Sequence, residues 1–176
     1  MQKFPVVSVV ISTFNRAAML RRALVSVLRQ DFKRDFEVVV VDDASTDNTF
    51  DTARSLDKQF KLRGVPLLYF KLSENTGYQC RPKNIGVQMS NGEFIAYLDD
   101  DNEWHRDHLS TLFEHILRYD CDLVYGMREY RRAPDCTDSR VGEGIGTIGP
   151  FNAKALEVGN YIDTSDILHS KCAYYE

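Results

Sequence analysis

The run Val6-Val7-Ser8-Val9-Val10-Ile11-Ser12 places β-branched residues at adjacent rather than alternating positions, which predicts a short strand buried on both faces. Leu20, Ala23, Leu24, Val27 and Leu28 then recur at helical spacing, and Asn15 stands where it can cap that helix. The pair of elements returns. Phe36 to Val41 reads as a strand, Asp42 to Asp47 as its turn, and Phe50, Ala53, Leu56 and Phe60 as the inner face of a second helix. Leu67 to Phe70 is a third strand. Ser73 to Gly77 has loop chemistry, and Pro82 suits the first turn of a helix that buries Ile85 and Met89 before the Ser90-Asn91-Gly92 stop. A fourth strand begins at Phe94 and delivers Asp99. Leu109, Leu112, Phe113, Ile116 and Leu117 form the clearest helical face of the chain, and Leu123 to Tyr130 reads as another strand.

Strands alternating with helices predict an α/β fold with a mostly parallel central sheet flanked by helices. The pattern changes after Tyr130. Residues 131–150 hold Pro134, Gly142, Gly144, Gly146, Gly149 and Pro150 with little apolar periodicity, so they read as a mobile connection, either an ordinary loop or a flap over a site. A short helix over Asn152 to Leu156 and a strand near Asp166 to His169 follow. One domain over 1–176 is the expectation: a core over 1–130, the connection, and a closing segment over 151–176.

Composition adds limits rather than direction. The chain has 176 residues, 43% of them hydrophobic, and a net charge of −4, which gives no broad attraction to nucleic acid or anionic lipid. Cys80, Cys121, Cys136 and Cys172 show no C-x-x-C spacing and follow no signal-peptide-like start, so they read as reduced thiols, small core residues of a cytoplasmic protein. No apolar run approaches the roughly 20 residues that span a bilayer, so no integral membrane segment is expected and any membrane association would be peripheral.

Charge does sharpen the picture at two strand ends. Val38-Val39-Val40-Val41 runs into Asp42-Asp43, and Ile95-Ala96-Tyr97-Leu98 runs into Asp99-Asp100-Asp101. At about 5 Å and an effective dielectric of about 20, each like-charge pair costs on the order of 3 kcal/mol, so three consecutive carboxylates call for a bound cation or a well-solvated tip. In a parallel sheet both tips share the edge where open α/β sheets bind ligands. One crevice could then hold Asp43, able to accept the imide N–H of a uracil-like base, and Asp99 to Asp101, able to hold a divalent cation through oxygen. A cation with few protein ligands takes the rest from waters and phosphates, as a metal-bound pyrophosphate provides.

Other acidic-tip folds fit less well. A phosphoacceptor receiver domain would carry its aspartate pair on the first strand, and an aspartyl-phosphatase would carry D-x-D-x-T/V on its nucleophile strand. The glycine patterns of dinucleotide-binding and P-loop enzymes are absent from the sequence.

Four blocks in order carry a resemblance: Val9 to Arg16, Val41 to Thr49, Asn84-Ile85-Gly86 leading to Asn91-Gly92-Glu93, and Tyr97 to Trp104. They resemble the N-terminal, nucleotide-binding part of family 2 glycosyltransferases of the GT-A fold, a Rossmann-like sandwich, over most of the chain. The resemblance implies that Ser12 and Phe14 line a nucleobase pocket, with a core position as the plain alternative for Phe14. It implies that Asp43 reads the base while Asp42 or Asp47 organises the turn, and that Ser45 and Thr46 are turn and cap residues. Asp99, Asp100 and Asp101 match the family's D-x-D motif, in which the last aspartate, Asp101 here, ligates Mg2+ or Mn2+ and the earlier two contact the ribose or donor sugar. Lys83 stands where the family often has Arg, either approaching the diphosphate or lying along the helix. Asn84 either contacts the donor or the aspartates or makes a structural hydrogen bond. Trp104 is expected to pack the following helix, with lining the sugar site as the alternative, His105 and His108 to be ordinary exposed or capping residues, and the role of His169 is open.

The implied activity is transfer of a sugar from a nucleotide diphosphate sugar, with UDP as the expected nucleotide, to a hydroxyl of a carbohydrate or glycoconjugate acceptor, with inversion. The family's general base lies in an acidic motif further along than residue 176. The expectation is therefore of a truncated chain that keeps donor binding, and a non-catalytic donor-binding module is the alternative. Neither Asp163 nor Asp166 is singled out as base by its spacing.

Overall fold

A computed structural model describes residues 4–130, 144–146, 152–158, 160 and 162–175. Strands β1 (Val7–Thr13), β2 (Phe36–Asp42), β3 (Leu67–Lys71) and β4 (Phe94–Tyr97) alternate with helices α1 (Ala17–Leu28), α2 (Thr49–Arg63) and α3 (Cys80–Met89). Helix α4 (His108–Tyr119) leads to β5 (Leu123–Tyr125), and β6 (Arg128–Tyr130) pairs with β7 (Gly144–Gly146) in a separate ribbon. Helix α5 (Ala153–Val158) and a 3-10 turn over Thr164–Asp166 precede β8 (Ile167–Ser170). The six-stranded sheet has the order β3-β2-β1-β4-β8-β5. Strands β1 to β4 are mutually parallel, and β8 enters antiparallel between β4 and β5.

Every residue of β1 and β2 is buried, as their unbroken apolar runs predict. Alternate side chains go to opposite faces. Val7, Val9 and Ile11 join Val38, Val40, Ala96 and Leu168 beneath α1, α2 and α4, whereas Val10 and Ile95 meet Val87 of α3 on the other side. Helix α4 buries Leu109, Leu112, Phe113 and Ile116, each contributing about 1.5–3 kcal/mol relative to exposure. Leu117, expected on this face, is exposed at its edge.

Several expectations are corrected. Asn15 does not cap α1: it takes a left-handed φ of 52°, and its Oδ1 accepts from the backbone N–H groups of Thr46 (2.7 Å) and Asp47 (3.3 Å). The N-terminus of α1 is met instead from the neighbouring loop, where Asp47 Oδ2 accepts from Ala17 N at 3.3 Å. Phe50 is exposed, edge-on to Tyr69, because Thr49 takes the inward place at the start of α2. Helix α3 buries Pro82, Lys83, Gly86 and Val87, leaving Met89 exposed and Ile85 half-buried. Gly86 sets that rotation: a Cβ there would lie 2.4 Å from Val10 Cγ1, so the helix sits too close to β1 for a side chain between them.

The expected strand from Leu123 to Tyr130 is two strands, broken at Gly126, whose N–H donates to Asp166 O at 2.9 Å. Cys80, Cys121 and Cys172 are exposed rather than core residues, since they lie at the ends of elements. Cys136 and the connection over 131–150 fall outside the described residues, apart from β7. Among the described residues no helix is long and apolar enough to cross a membrane.

Candidate functional site

The parallel arrangement of β1, β2 and β4 brings their C-terminal ends to one sheet edge, and there a cleft of about 520 Å³ opens. Ser12, Thr13, Phe14 and Arg16 line it from the end of β1, Asp43 from the end of β2, and Asp99, Asp100 and Asp101 from the end of β4. Asn75, Gly77, Tyr78 and Gln79 close it from the loop before α3. Six of the eight residues singled out from sequence line the cleft, and a seventh, Lys83, touches it through Asp99. Asn84 is on an exposed part of α3 and is not a lining residue.

The two aspartates at the end of β2 divide the work. Asp42 is fully buried, its Oδ1 accepting from Ser45 N (2.8 Å) and its Oδ2 from the Tyr69 hydroxyl (2.6 Å), so it fixes the turn. Burial together with this carboxylate pushes the Tyr69 phenol well above its ordinary range. Asp43 faces the cleft, and Thr76 orients it: the Thr76 N–H reaches both carboxylate oxygens (3.0 and 3.1 Å) and its hydroxyl donates to Oδ2 (3.0 Å). A carboxylate offers about four acceptor positions, so Asp43 keeps capacity for one further donor from the cleft. Phe14 is 42% exposed on the cleft wall, which removes the core alternative for this ring.

Among the described residues, two cations meet the aspartate tip after β4. Lys83, buried on α3, places Nζ 2.6 Å from Asp99 Oδ1, an ionic contact outside hydrogen-bond geometry, since that oxygen has no hydrogen-bond partner. Arg16 Nη1 lies 3.1 Å from Asp100 Oδ1 and 3.0 Å from Asp101 Oδ2. Asp100 is almost fully buried while Asp101 is about half exposed. Burial pushes the Asp100 carboxyl up, outweighing the opposing pulls of Thr13 and Arg16; hydrogen bonding to Asp100 raises the Arg16 guanidinium in turn.

The tip is braced from behind by a segment far along the chain. Ser165 Oγ accepts from Asp99 N (3.0 Å) and Asn102 Nδ2 (2.9 Å), and Ser165 O accepts from Trp104 Nε1 (2.8 Å). Trp104 is buried as expected of a packing residue and stacks on His108 at 4.5 Å between centroids. His105 is exposed and pairs with Glu129 at 3.3 Å. His108, in contrast to the exposed or capping place expected of it, is half-buried, with Nε2 unpartnered. Desolvation pushes this imidazole down to about 4. A histidine held neutral by burial takes up its proton more readily when unfolded, so stability is lost as pH falls from the unfolded value near 6.5 towards 4. By pH 5 this amounts to about 2 kcal/mol, and His108→Gln should remove that part of the acid destabilisation in denaturant melts at pH 7 and pH 5. Equal pH dependence in both proteins would refute it.

His169 is buried between a Tyr97 hydroxyl contact to Nε2 (3.0 Å) and its own Nδ1 contact to Ser170 O (2.7 Å), stacked on the Tyr97 ring. That gives the open residue a packing role on the far side of β4. Arg16, Asn75, Thr76, Tyr78 and Ser165 were not singled out from sequence. Arg16 is the last residue of the first block and Thr76 lies in the loop already recognised, but Ser165 reaches the tip only through the insertion of β8.

Among the described residues no group of three His, Cys, Asp or Glu side chains converges as a metal cage. The donor set nevertheless fits a divalent cation. Asp100 and Asp101 converge on one positively charged nitrogen, and a small hard cation that keeps waters and takes phosphate oxygens needs only one or two carboxylates.

A mostly parallel α/β sheet whose aspartate-ended strands meet at one edge defines a fold of the GT-A type. The Glycosyl transferase family 2 model matches residues 8–170, and the chain belongs to that family. It is 39% identical over 113 residues to the GalNAc(5)-diNAcBac-PP-undecaprenol beta-1,3-glucosyltransferase of Campylobacter jejuni, covering 62% of this chain and 34% of that protein. It is 36% identical over 121 residues to the poly(ribitol-phosphate) beta-N-acetylglucosaminyltransferase TarP of Staphylococcus aureus, covering 68% and 36%. The crystal structure of S. aureus TarS with UDP-GlcNAc superposes with a TM-score of 0.61 at 30% identity, over 66% of this chain and 32% of that one. A mannosyltransferase of Pyrobaculum calidifontis, solved with GDP-Man and Mn2+, gives a TM-score of 0.62 at 28% identity, over 70% and 36%. The chain spans about a third of the length of these relatives.

Proposed function

We propose that the cleft binds a nucleotide diphosphate sugar, with UDP as the nucleotide, and forms the donor side of a metal-dependent, inverting glycosyltransferase. The observation that carries this reading is the convergence, in one cleft, of Asp43 held by Thr76 with the Asp99 to Asp101 tip. Solved relatives that hold UDP-GlcNAc, or GDP-Man with Mn2+, support the ligand class.

Each residue then has a physical task. Asp43 accepts the uracil imide N–H through its remaining acceptor position, and Ser12 and Phe14 wall the base, Phe14 with its exposed ring. Asp99 and Asp100 face the ribose or donor sugar, with Lys83 fixing Asp99 from the helix side. Asp101 would hold Mg2+ or Mn2+, which when bound offsets the charge that develops on the departing diphosphate. The acceptor is a carbohydrate or glycoconjugate hydroxyl, whose proton passes to a general base. Nucleotide sugars are cytoplasmic substrates in this reading, and contact with a membrane is peripheral.

Calorimetry with UDP and Mn2+ tests the donor site: saturating ligand at about 100 times its Kd should stabilise the fold by roughly 2.7 kcal/mol. Binding of no nucleoside diphosphate, with or without metal, would sink the reading. Asp43→Asn should narrow the preference for UDP over CDP by about tenfold, since the amide can also donate to the base; an unchanged preference in competition titrations would remove Asp43 from base reading. UDP release from UDP-sugars in the presence of acceptor separates a transferase from a module that binds the donor without turnover.

A further inference from the structure

The cations around the aspartate tip are not equivalent. Lys83 is buried on α3 against Asp99, where it has nowhere to go. Arg16 is half exposed, lines the cleft, and reaches both Asp100 and Asp101 through a single nitrogen. Its backbone is anchored, because Asn15 is tied to Ser45, Thr46 and Asp47 through hydrogen bonds of 2.7 to 3.3 Å. Its long side chain thus reaches out, half exposed, from a fixed base. Exposed ion pairs hold weakly, so the contact with Asp101 can be exchanged at little cost. The guanidinium also carries five N–H donors in a planar fork suited to phosphate oxygens, and one nitrogen suffices for both aspartates.

We propose that Arg16 is an exchangeable counter-cation of the donor site, competing with the divalent metal for Asp101 and turning onto the diphosphate when the metal-bound donor takes that carboxylate. The inference rests on the reading of Asp101 as metal ligand. It makes the site select the metal together with the diphosphate over the metal alone, because free metal has to displace a positive charge that the diphosphate then accommodates.

Arg16→Gln consequently has effects of opposite sign. Free Mn2+, counted by electron paramagnetic resonance without nucleotide, should bind about five- to tenfold more tightly, since a cation within a few ångströms is gone. UDP at saturating Mn2+ should bind about tenfold more weakly, since a charge-assisted bond to phosphate is lost. Arg16→Lys, which keeps the charge but not the fork, should leave free Mn2+ affinity within about twofold of the parent while still weakening UDP. A purely structural role would weaken both ligands together and lower the melting temperature. Mn2+ affinity unchanged or weakened in an Arg16→Gln protein that melts normally would overturn the exchange while leaving the metal site standing. Absence of Mn2+ binding in both parent and variant, with UDP present, would instead overturn the metal reading and the inference with it.

Discussion

Asp101→Asn should lower UDP affinity in the presence of Mn2+ by about 100-fold, or about 2.8 kcal/mol, and leave the thermal unfolding temperature unchanged. Both halves follow from where the side chain sits. Asp101 is about half exposed at the cleft edge, so its amide analogue leaves no buried charge unpaired. Asp99 and Asp100 are less clean probes: Asp99 neutralises the buried Lys83, and Asp100 is itself buried, so variants at either position mix a folding defect with a binding defect. At Asp101 the loss would be confined to a half-exposed carboxylate at the cleft edge. Calorimetry of parent and variant with UDP, with and without Mn2+, reads the effect, and equal affinities would place the metal elsewhere or remove it from the account.

Gly92→Ala should destabilise the fold by about 3 kcal/mol, a fall of about 6–12 °C in melting temperature for a chain of this size, while UDP affinity measured well below the transition should stay within about twofold. Gly92 precedes β4 at the sheet edge opposite the cleft. A Cβ there would stand 2.6 Å from Ser8 N, 2.7 Å from Ser8 Oγ and 2.8 Å from Val7 C, and the backbone of a central strand cannot step aside. The shift would also disturb a buried polar cluster. Ser8 Oγ donates to Glu37 Oε1 (2.7 Å), Asn91 N donates to the same oxygen (2.6 Å), and Gly92 N donates to Ser8 Oγ (2.9 Å). Removing one member leaves a buried carboxylate short of donors. A change below 1 kcal/mol in denaturant melts would show that the β1 to β4 crossing is looser than these distances imply.

That cluster also shows how unevenly the sequence disclosed its reasons. The Asn91-Gly92-Glu93 block was recognisable as a motif, yet it acts at the edge away from the cleft, closing β1 on β4 around Glu37. The β-branched runs of β1 and β2 and the α4 stripe were legible because burial on two faces or on one helical side leaves a local pattern in the residues. The faces of α2 and α3 were misread where Thr49 and Gly86 took inward places, since neither a hydroxyl nor a glycine registers as apolar. The cleft was legible as two acidic strand ends, because parallel pairing puts both at one edge. Arg16, Thr76 and Ser165 were harder to see: Arg16 and Thr76 act across loops from 33 to 85 residues away in sequence, and Ser165 depends on an antiparallel strand added from the end of the chain.

In the proposed donor site one cleft joins base reading at Asp43 to diphosphate and metal at Asp101. Crystals grown with UDP and Mn2+, with diffraction collected at the manganese edge, test it most directly. The expected result is an anomalous peak within ligand distance of an Asp101 oxygen, the uracil imide against Asp43 and beside Phe14, and the Arg16 guanidinium on the diphosphate. Manganese away from the aspartate tip, or a base lying outside the Phe14 and Asp43 wall, would contradict it.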